Sequence, residues 1–218
     1  MPIISFATPK GGAGKTTSAI ILATTLAQGV SVEIIDADPA ARAVAWSKRG
    51  KLPQNLRITK SAGERAIQDE IDTAARRAAF VVIDLEGAAT QLNAMVLAES
   101  DLVVIPTGDE QQDADAAVEA LAQIKMQARA LRREIPASIL FARTKAAVKA
   151  RNEREINAAM RENVDTFKTE LNARTAYSSL HSYGGSLYDL DRAVVGGIDK
   201  ALENAEAFAT EVIEKVRA

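Results

Sequence analysis

Short apolar runs alternate with longer segments of helical periodicity along most of the chain. The apolar runs are rich in Val and Ile with few polar interruptions, which is typical of strands buried on both faces. They predict strands at Ile3–Thr8, Ser31–Asp36, Leu56–Lys60, Phe80–Asp84, Leu102–Pro106 and Ser138–Arg143, and a short last strand near 166–171. The segments between them predict helices at about 16–28, 40–49, 64–78, 89–99, 113–132 and 150–163. This alternation predicts an α/β fold, a doubly wound and mostly parallel sheet with helices on both faces, in one domain over residues 1–218.

The end of the chain predicts one more helix, which is amphipathic. Its apolar face consists of Leu202, Ala205, Phe208, Ala209, Val212, Ile213 and Val216. Helices that lie on a membrane surface favour Lys and Arg on their polar face. Here four glutamates, Glu203, Glu206, Glu211 and Glu214, outnumber Lys215 and Arg217. We therefore expect this helix to pack against the domain, with no membrane contact.

Composition narrows the function classes. The chain has 218 residues, of which 47% are hydrophobic and only 4% aromatic, so its core is expected to consist of Ala, Val, Leu and Ile. It contains no cysteine, which excludes disulfides and thiolate metal sites. Residues 1–8 lack the features of a signal peptide, and no apolar run approaches the roughly 18 residues of a membrane span. We expect a cytoplasmic protein. The net charge of −2 gives no indication of nucleic-acid binding, which would need a local basic patch.

A glycine-rich turn lies between the first predicted strand and the first predicted helix. It consists of Lys10, Gly11, Gly12, Ala13, Gly14, Lys15, Thr16 and Thr17. In such a turn, backbone N–H groups and the positive helix end converge on a phosphate. Lys15 would lie on the β- and γ-phosphates and the Thr16 hydroxyl on Mg²⁺. The motif predicts a binding site for a nucleoside triphosphate, ATP, with Mg²⁺.

The turn departs from the standard phosphate loop at its start. The standard motif has glycine where this chain has Pro9, and Lys10 adds a second cation. Because Lys15 already serves the phosphates in its own chain, the natural target of Lys10 is the nucleotide of a second subunit. The alternative is a glycine-rich turn with two solvated lysines.

Carboxylates end the second and fourth predicted strands. Asp36 and Asp38, in the run Asp-Ala-Asp-Pro, are placed to hold Mg²⁺ or to position an attacking water. Asp38 with Pro39 is also a good N-cap and first-turn pair for the next helix. An acidic residue near this spacing could instead bind the ribose of a dinucleotide. That alternative requires the motif Gly-x-Gly-x-x-Gly, whose third glycine is replaced here by Thr17.

Asp84 ends an apolar strand, as the second metal element of such ATPases does. The following Gly87 would let a backbone N–H approach the γ-phosphate. Glu86 is either a second polarising carboxylate or a solvated side chain. Of two other conspicuous residues, Trp46 is expected to pack in the core, and the single histidine, His181, lacks the partners of a metal ligand.

Basic residues are concentrated late in the chain. Between 132 and 154 there are seven of them, Arg132, Arg133, Arg143, Lys145, Lys149, Arg151 and Arg154, against Glu134 and Glu153. Such a cluster can bind the DNA backbone through counterion release without reading sequence. A solvated face is the alternative.

The loop Lys-Gly-Gly-x-Gly-Lys-Thr-Thr resembles the deviant Walker A loop of the ParA/MinD family of P-loop NTPases. Further segments resemble its short ParA, or ParF-like, group: Pro9 to Gly12, Asp36 to Pro39, Trp46 to Lys48, Asp101 to Pro106 and Phe141 to Arg143. The resemblance implies that Lys10 crosses a dimer interface, that Asp36 faces the metal and its waters, and that Asp38 orients the attacking water. The segment Pro106 to Asp109 would lie against the nucleotide and the partner; a plain strand-to-helix turn is the alternative.

The resemblance also implies a function. It predicts an Mg²⁺-dependent ATP hydrolase that forms an ATP-dependent homodimer and drives plasmid or chromosome partition with a ParB-type adaptor. The dimer would bind DNA non-specifically, through a patch around Arg143, Lys145, Lys149, Arg151 and Arg154, and would associate with the nucleoid when ATP is bound. The alternatives are a positioning ATPase for another cargo, such as a chemoreceptor cluster or a conjugative transfer-DNA complex, a nucleotide-gated scaffold, and a ligase similar to dethiobiotin synthetase, which would gain nothing from Lys10.

Overall fold

The computed structural model describes residues 1–87, 90–145 and 150–217. Its strands are β1 Ile3–Phe6, β2 Val32–Asp36, β3 Leu56–Lys60, β4 Phe80–Asp84, β5 Leu102–Thr107, β6 Ala137–Thr144 and β7 Leu171–Asn172. Its helices are α1 Lys15–Leu26, α2 Arg42–Ser47, α3 Ile67–Ala75, α4 Gln91–Glu99, α5 Gln111–Leu131, α6 Arg151–Asn163, α7 Thr175–Tyr183 and α8 Ile198–Lys215, with a 3₁₀ turn at Leu187–Asp189. Within these ranges no helix is long and apolar enough to cross a membrane.

The strands form one parallel sheet in the order β3-β2-β4-β1-β5-β6-β7. The register places Asp84 of β4 opposite Phe6 of β1 on one side and opposite Asp36 of β2 on the other. The side on which successive strands are added changes at β1, since β2 and β4 lie on one side of β1 and β5 lies on the other. Ligands of open parallel sheets bind at the carboxyl end of the strands at such a reversal.

Two hydrophobic layers cover the sheet, as the alternation of side chains along the strands requires. Ile4 and Phe6 of β1 belong to the layer covered by α1, α2, α7 and α8. Ile3 points to the opposite layer, with α3, α4 and α5. The predicted doubly wound α/β fold is therefore confirmed, as is the burial of Trp46 in the first layer.

The amphipathic C-terminal segment forms α8 and packs on the domain, as predicted. Its apolar face enters the same core layer as α1, and Phe208 is completely buried. The ring of Phe208 meets that of Phe167 edge to face, with 5.3 Å between the centroids.

Four predictions need correction or a limit. Asp38 is not an N-cap: its carbonyl and carboxylate accept hydrogen bonds from the N–H groups of Ala41 and Ala40, at 2.8 and 2.9 Å, in a turn that precedes α2. The N-cap is Ala41, in left-handed conformation, and α2 therefore begins two residues later than predicted. The last strand is Leu171–Asn172 and not 166–171, where only Thr166 bridges to β6. The predicted start of α4 at residue 89 lies outside the described residues.

Candidate functional site

The glycine-rich loop wraps the first turn of α1 at the carboxyl end of β1. Gly12 and Gly14 have φ angles of 78° and 97°, which residues with a Cβ rarely adopt. At Gly14 a Cβ would also touch the side chains of Ala142 and Arg143. The loop borders a cavity of about 700 Å³, closed on other sides by the segments after β2 and β4. Backbone N–H groups of such a loop, together with the start of the helix that follows it, can bind an anion.

Lys15 is the first residue of α1 and borders the cavity. It is buried, with 8% of its surface exposed, and its Nζ donates a hydrogen bond to the Thr8 carbonyl at 3.2 Å. A Cβ placed on Gly87 would lie 3.6 Å from that Nζ and 3.3 Å from the Pro9 carbonyl. The absence of a side chain at Gly87 therefore lets this segment lie close to the Lys15 ammonium group and to the start of the loop. Burial lowers the pKa of Lys15, and the nearby carboxylates of Asp84 and Asp38 only partly oppose that shift.

Asp84 and Thr16 form the second part of the site. The Thr16 hydroxyl donates to Asp84 Oδ2 at 2.6 Å, whereas Asp84 Oδ1 is buried and has no partner among the described residues. Burial, with the nearby carboxylates of Asp36 and Asp38, raises the pKa of Asp84 to about 7. A buried carboxylate with an unpaired oxygen is stabilised by a cation.

This donor set fits Mg²⁺. Mg²⁺ takes oxygen ligands, keeps several waters, and commonly uses one or two carboxylates together with substrate phosphates. No cluster of three or more His, Cys, Asp or Glu that could hold a metal by itself occurs in the described ranges. Asp84 and Thr16 would therefore hold the ion jointly with a bound triphosphate.

Asp36 and Asp38 have different surroundings. Asp36 accepts hydrogen bonds from the backbone N–H of Val44 at 2.9 Å and of Asp38 at 3.3 Å, so it ties the loop after β2 to α2. Burial raises its pKa. Asp38 borders the cavity, where its Oδ2 receives a hydrogen bond from Arg42 at 2.8 Å. Asp38 therefore presents a carboxylate to the cavity, whereas both oxygens of Asp36 are engaged by the backbone.

Lys10 points away from the cavity and does not border it. Its ammonium group pairs with the carboxylate of Asp113 in the first turn of α5. Gly108 makes this arrangement possible, since a Cβ there would collide with Asp113. The segment Pro106 to Asp109 forms the end of β5 and the turn into α5, and the Thr107 hydroxyl donates to the Asp113 carbonyl at 2.9 Å.

Two residues from distant parts of the chain also border the cavity, Arg143 and His181. Arg143, predicted in the DNA patch, has a φ of 61° and donates from its guanidinium group to the Gly12 carbonyl. His181 Nε2 lies 2.7 Å from the Thr17 hydroxyl. The spacing of residues along the chain could not predict either contact, because the partners are more than 130 residues apart in sequence.

The remaining basic residues lie in several environments. Lys145 pairs with Glu153 at 2.6 Å and Arg151 with Glu155 at 2.7 Å, and Arg154 is exposed on α6. Arg133 donates to carbonyl groups at the end of α4. Lys149 lies outside the described residues. Of the predicted basic patch, Arg151 and Arg154 are therefore the exposed residues that lie on α6.

A strand, a glycine-rich loop and a helix start, with a buried lysine and a Thr–Asp pair at the reversal point of a parallel sheet, define a P-loop nucleotide-binding protein. The VirC1 protein family model matches residues 1–214. Protein ParA of Rhizobium radiobacter is 34% identical over 218 residues, which cover 99% of this chain and 98% of that protein. The chain belongs to the VirC1 family and is a ParA/MinD-type ATPase.

Solved structures agree on the fold. An Asp-to-Ala variant of McdA from Cyanothece in complex with ATP has a TM-score of 0.75 at 18% identity, over 97% of this chain and 96% of that one. A plasmid partition protein of Borrelia burgdorferi bound to AMPPNP has a TM-score of 0.73 at 20% identity, over 98% and 99% of the two chains.

Proposed function

We propose that the chain is an Mg²⁺-dependent ATPase that dimerises with ATP, binds DNA non-specifically and drives plasmid or chromosome partition with a ParB-type adaptor. One observation carries the proposal: the two lysines of the loop point in different directions. Lys15 faces the cavity of its own chain, whereas Lys10 is turned outward and is held by Asp113. A second loop lysine directed away from the phosphates of its own chain is suited to those of a neighbour.

The nucleotide in this proposal is ATP. The cavity of about 700 Å³ accommodates a triphosphate along the loop. Complexes of similar proteins contain ATP, in McdA, and AMPPNP, in the Borrelia partition protein. Lys15 and the loop N–H groups would bind the phosphates, and Asp84 with Thr16 would hold Mg²⁺. The ion would neutralise charge on the β- and γ-phosphate oxygens. Asp38 would orient the attacking water.

The pair between Lys10 and Asp113 would act in the monomer. Lys10 has 37% of its side-chain surface exposed and Asp113 has 15%, so the pair remains accessible to water. Exposed pairs of this kind stabilise proteins by about 0.2–1 kcal/mol. A triphosphate carries several negative charges, whereas Asp113 carries one, so a partner's ATP would attract the Lys10 ammonium group more strongly. A cation that a second protein supplies to phosphoryl groups also contributes to catalysis. Exchange of Asp113 for a partner's ATP would therefore favour the dimer.

Replacement of Lys10 by alanine tests the proposal. We expect the wild-type protein to dimerise with a non-hydrolysable ATP analogue in light-scattering chromatography, and the Lys10→Ala variant to bind the analogue yet remain monomeric. ATP hydrolysis should fall at least tenfold in the variant. Lys125→Ala, which removes an exposed lysine on α5, is the matched control. A Lys10→Ala variant that dimerises and hydrolyses ATP normally would refute the proposal and favour a ligase.

DNA binding is tested separately. Arg151 and Arg154 lie exposed on α6, and their joint replacement by alanine should weaken ATP-dependent binding to DNA of unrelated sequences equally. The slope of affinity against salt should decrease by about two counterions. Unchanged DNA affinity in the double variant would remove α6 from the proposed interface.

A second candidate is a positioning ATPase for another cargo such as a conjugative transfer-DNA complex, since the sequence motifs also resemble those of accessory ATPases of conjugative DNA transfer. A relative named for the distribution of another cargo, Maintenance of carboxysome distribution protein A of Gloeobacter kilaueensis, is 31% identical over 109 residues. The two candidates share the ATP-driven dimer and differ in the adaptor. Stimulation of ATP hydrolysis by a ParB-type protein would support partition, whereas stimulation only by a component of a transfer complex would support the second candidate.

A further inference from the structure

The hydrogen bond between Thr17 and His181 lies where two cavities meet. The cavity of about 700 Å³ follows the glycine-rich loop. A second cavity, of about 470 Å³, lies between the end of β6, β7 and α7. Gly14, Thr17, Arg143 and His181 border both. A ligand with its phosphates on the loop and its remainder in the second cavity would have to pass the Thr17 hydroxyl.

The backbone of His181 is held from outside the site. The guanidinium group of Arg49, just after α2, donates to the His181 carbonyl. Gly184, at the end of α7, packs directly on the backbone of Gly50. On the other side of α7, Tyr177 is buried and its hydroxyl donates to the Ala201 carbonyl in α8 at 3.0 Å. These contacts fix the helix that carries the imidazole, so the ring is presented to Thr17 in a defined position.

The chemistry of the pair determines what Thr17 can offer a ligand. Burial, followed by the charge of Arg49, lowers the pKa of His181, so the ring is neutral at pH 7 and has one N–H. If Nε2 carries that hydrogen, it occupies a lone pair of the Thr17 oxygen and leaves the hydroxyl hydrogen for another acceptor. The acceptor that the loop selects is a phosphate oxygen.

We propose that His181 is a positioning residue for nucleotide binding: it orients the Thr17 hydroxyl so that this group donates to the phosphate chain where the two cavities meet. The inference rests on the proposed ATP-binding function. It assigns His181 no contact with the reacting atoms, and it predicts that the contribution of His181 to affinity acts through the Thr17 oxygen.

A double-mutant cycle tests the inference. Dissociation constants of Mg²⁺·ADP are measured by calorimetry for the wild type, Thr17→Val, His181→Ala and the double variant. A hydrogen bond to a charged group corresponds to about a tenfold change in affinity or more. We expect each single variant to lose about tenfold, and the double variant to lose no more than Thr17→Val alone. His181→Gln, whose side-chain amide can donate, should restore part of the affinity. In a Thr17→Ser background, which keeps the hydroxyl, His181→Ala should still cost about tenfold.

The outcomes separate this inference from the function on which it rests. If the wild type binds neither ADP nor ATP, the proposed function fails. If the wild type binds but the two losses multiply, or His181→Ala leaves affinity unchanged, only the role of His181 is refuted. A purely structural role would lower the thermal unfolding temperature and would persist in the Thr17→Val background. Unfolding curves of all variants, recorded without nucleotide, supply that comparison.

Discussion

Replacing Asp84 by asparagine should stabilise the nucleotide-free protein. The carboxylate is fully buried, one oxygen lacks a partner, and its pKa is raised from 3.8 to about 7. Between these two values the unfolded chain has lost the proton and the folded protein still binds it, so ionisation of Asp84 destabilises the fold increasingly as pH rises. At 1.36 kcal/mol per pKa unit, the full effect is about 4 kcal/mol above pH 7 and less than about 1 kcal/mol at pH 4.

Urea unfolding of the wild type and Asp84→Asn measures this effect between pH 4 and pH 8, without Mg²⁺ or nucleotide. The stability gained by the variant should grow with pH and level off above about 7. Asp72→Asn, which alters an exposed aspartate on α3, is the control and should show no such trend. Mg²⁺-dependent ATP hydrolysis should be lost in Asp84→Asn. A variant that is no more stable than the wild type at pH 8, or a difference independent of pH, would refute the reasoning.

Three further variants test the fold. Arg77→Ala removes the guanidinium group that, together with other contacts, lowers the pKa of buried Glu33, so the variant should be less stable at pH 7. That loss should shrink as pH falls below about 4.5, and a pH-independent loss in urea unfolding would contradict it. Gly184→Ala places a Cβ against the backbone after α2 at a φ of 70° and should lower stability by at least about 1–3 kcal/mol, whereas Gly196→Ala, which has open space, should not. Phe208→Ala empties a fully buried site in α8 and should cost about 3–5 kcal/mol with an unchanged dependence on urea; a cost below about 1 kcal/mol would show that α8 is not part of the core.

Burial in the site disfavours the ionised forms of Lys15 and Asp84. Lys15 and Asp84 are buried with opposite charges, and burial shifts the pKa of each toward the neutral form. Both shifts should be relieved when a triphosphate and Mg²⁺ bind, because each charge then acquires a partner. Burial of these charged groups therefore destabilises the free protein, and ligand binding removes that destabilisation. For this reason we expect ATP and Mg²⁺ together to raise the unfolding temperature more than either does alone.

Sequence alone was sufficient for the features that depend on neighbouring residues. The Gly-rich turn, Lys15 and Thr16 form one continuous segment, and a buried strand that ends in a carboxylate, as at Asp84, can be recognised without knowing its neighbours. The order of strands and helices up to α6 followed from hydrophobic periodicity for the same reason, whereas α7 was not predicted. Asp36 and Asp84, which were both predicted at a metal site, lie opposite each other on neighbouring strands.

Tertiary structure decided which distant side chains complete the site. Arg143 reaches Gly12 and His181 reaches Thr17 only because β6 and α7 pack beside the loop. Lys10 meets Asp113 for a comparable reason, since the strand order places β5, which leads into α5, next to β1. Local sequence carries no signal for such contacts, because they depend on how the sheet is assembled. The turn at Asp38 shows the same limit at short range. The Asp38 carboxylate accepts a hydrogen bond within a turn whose shape depends on the backbone after β2. The sequence pattern of a helix N-cap could not be distinguished from that of such a turn.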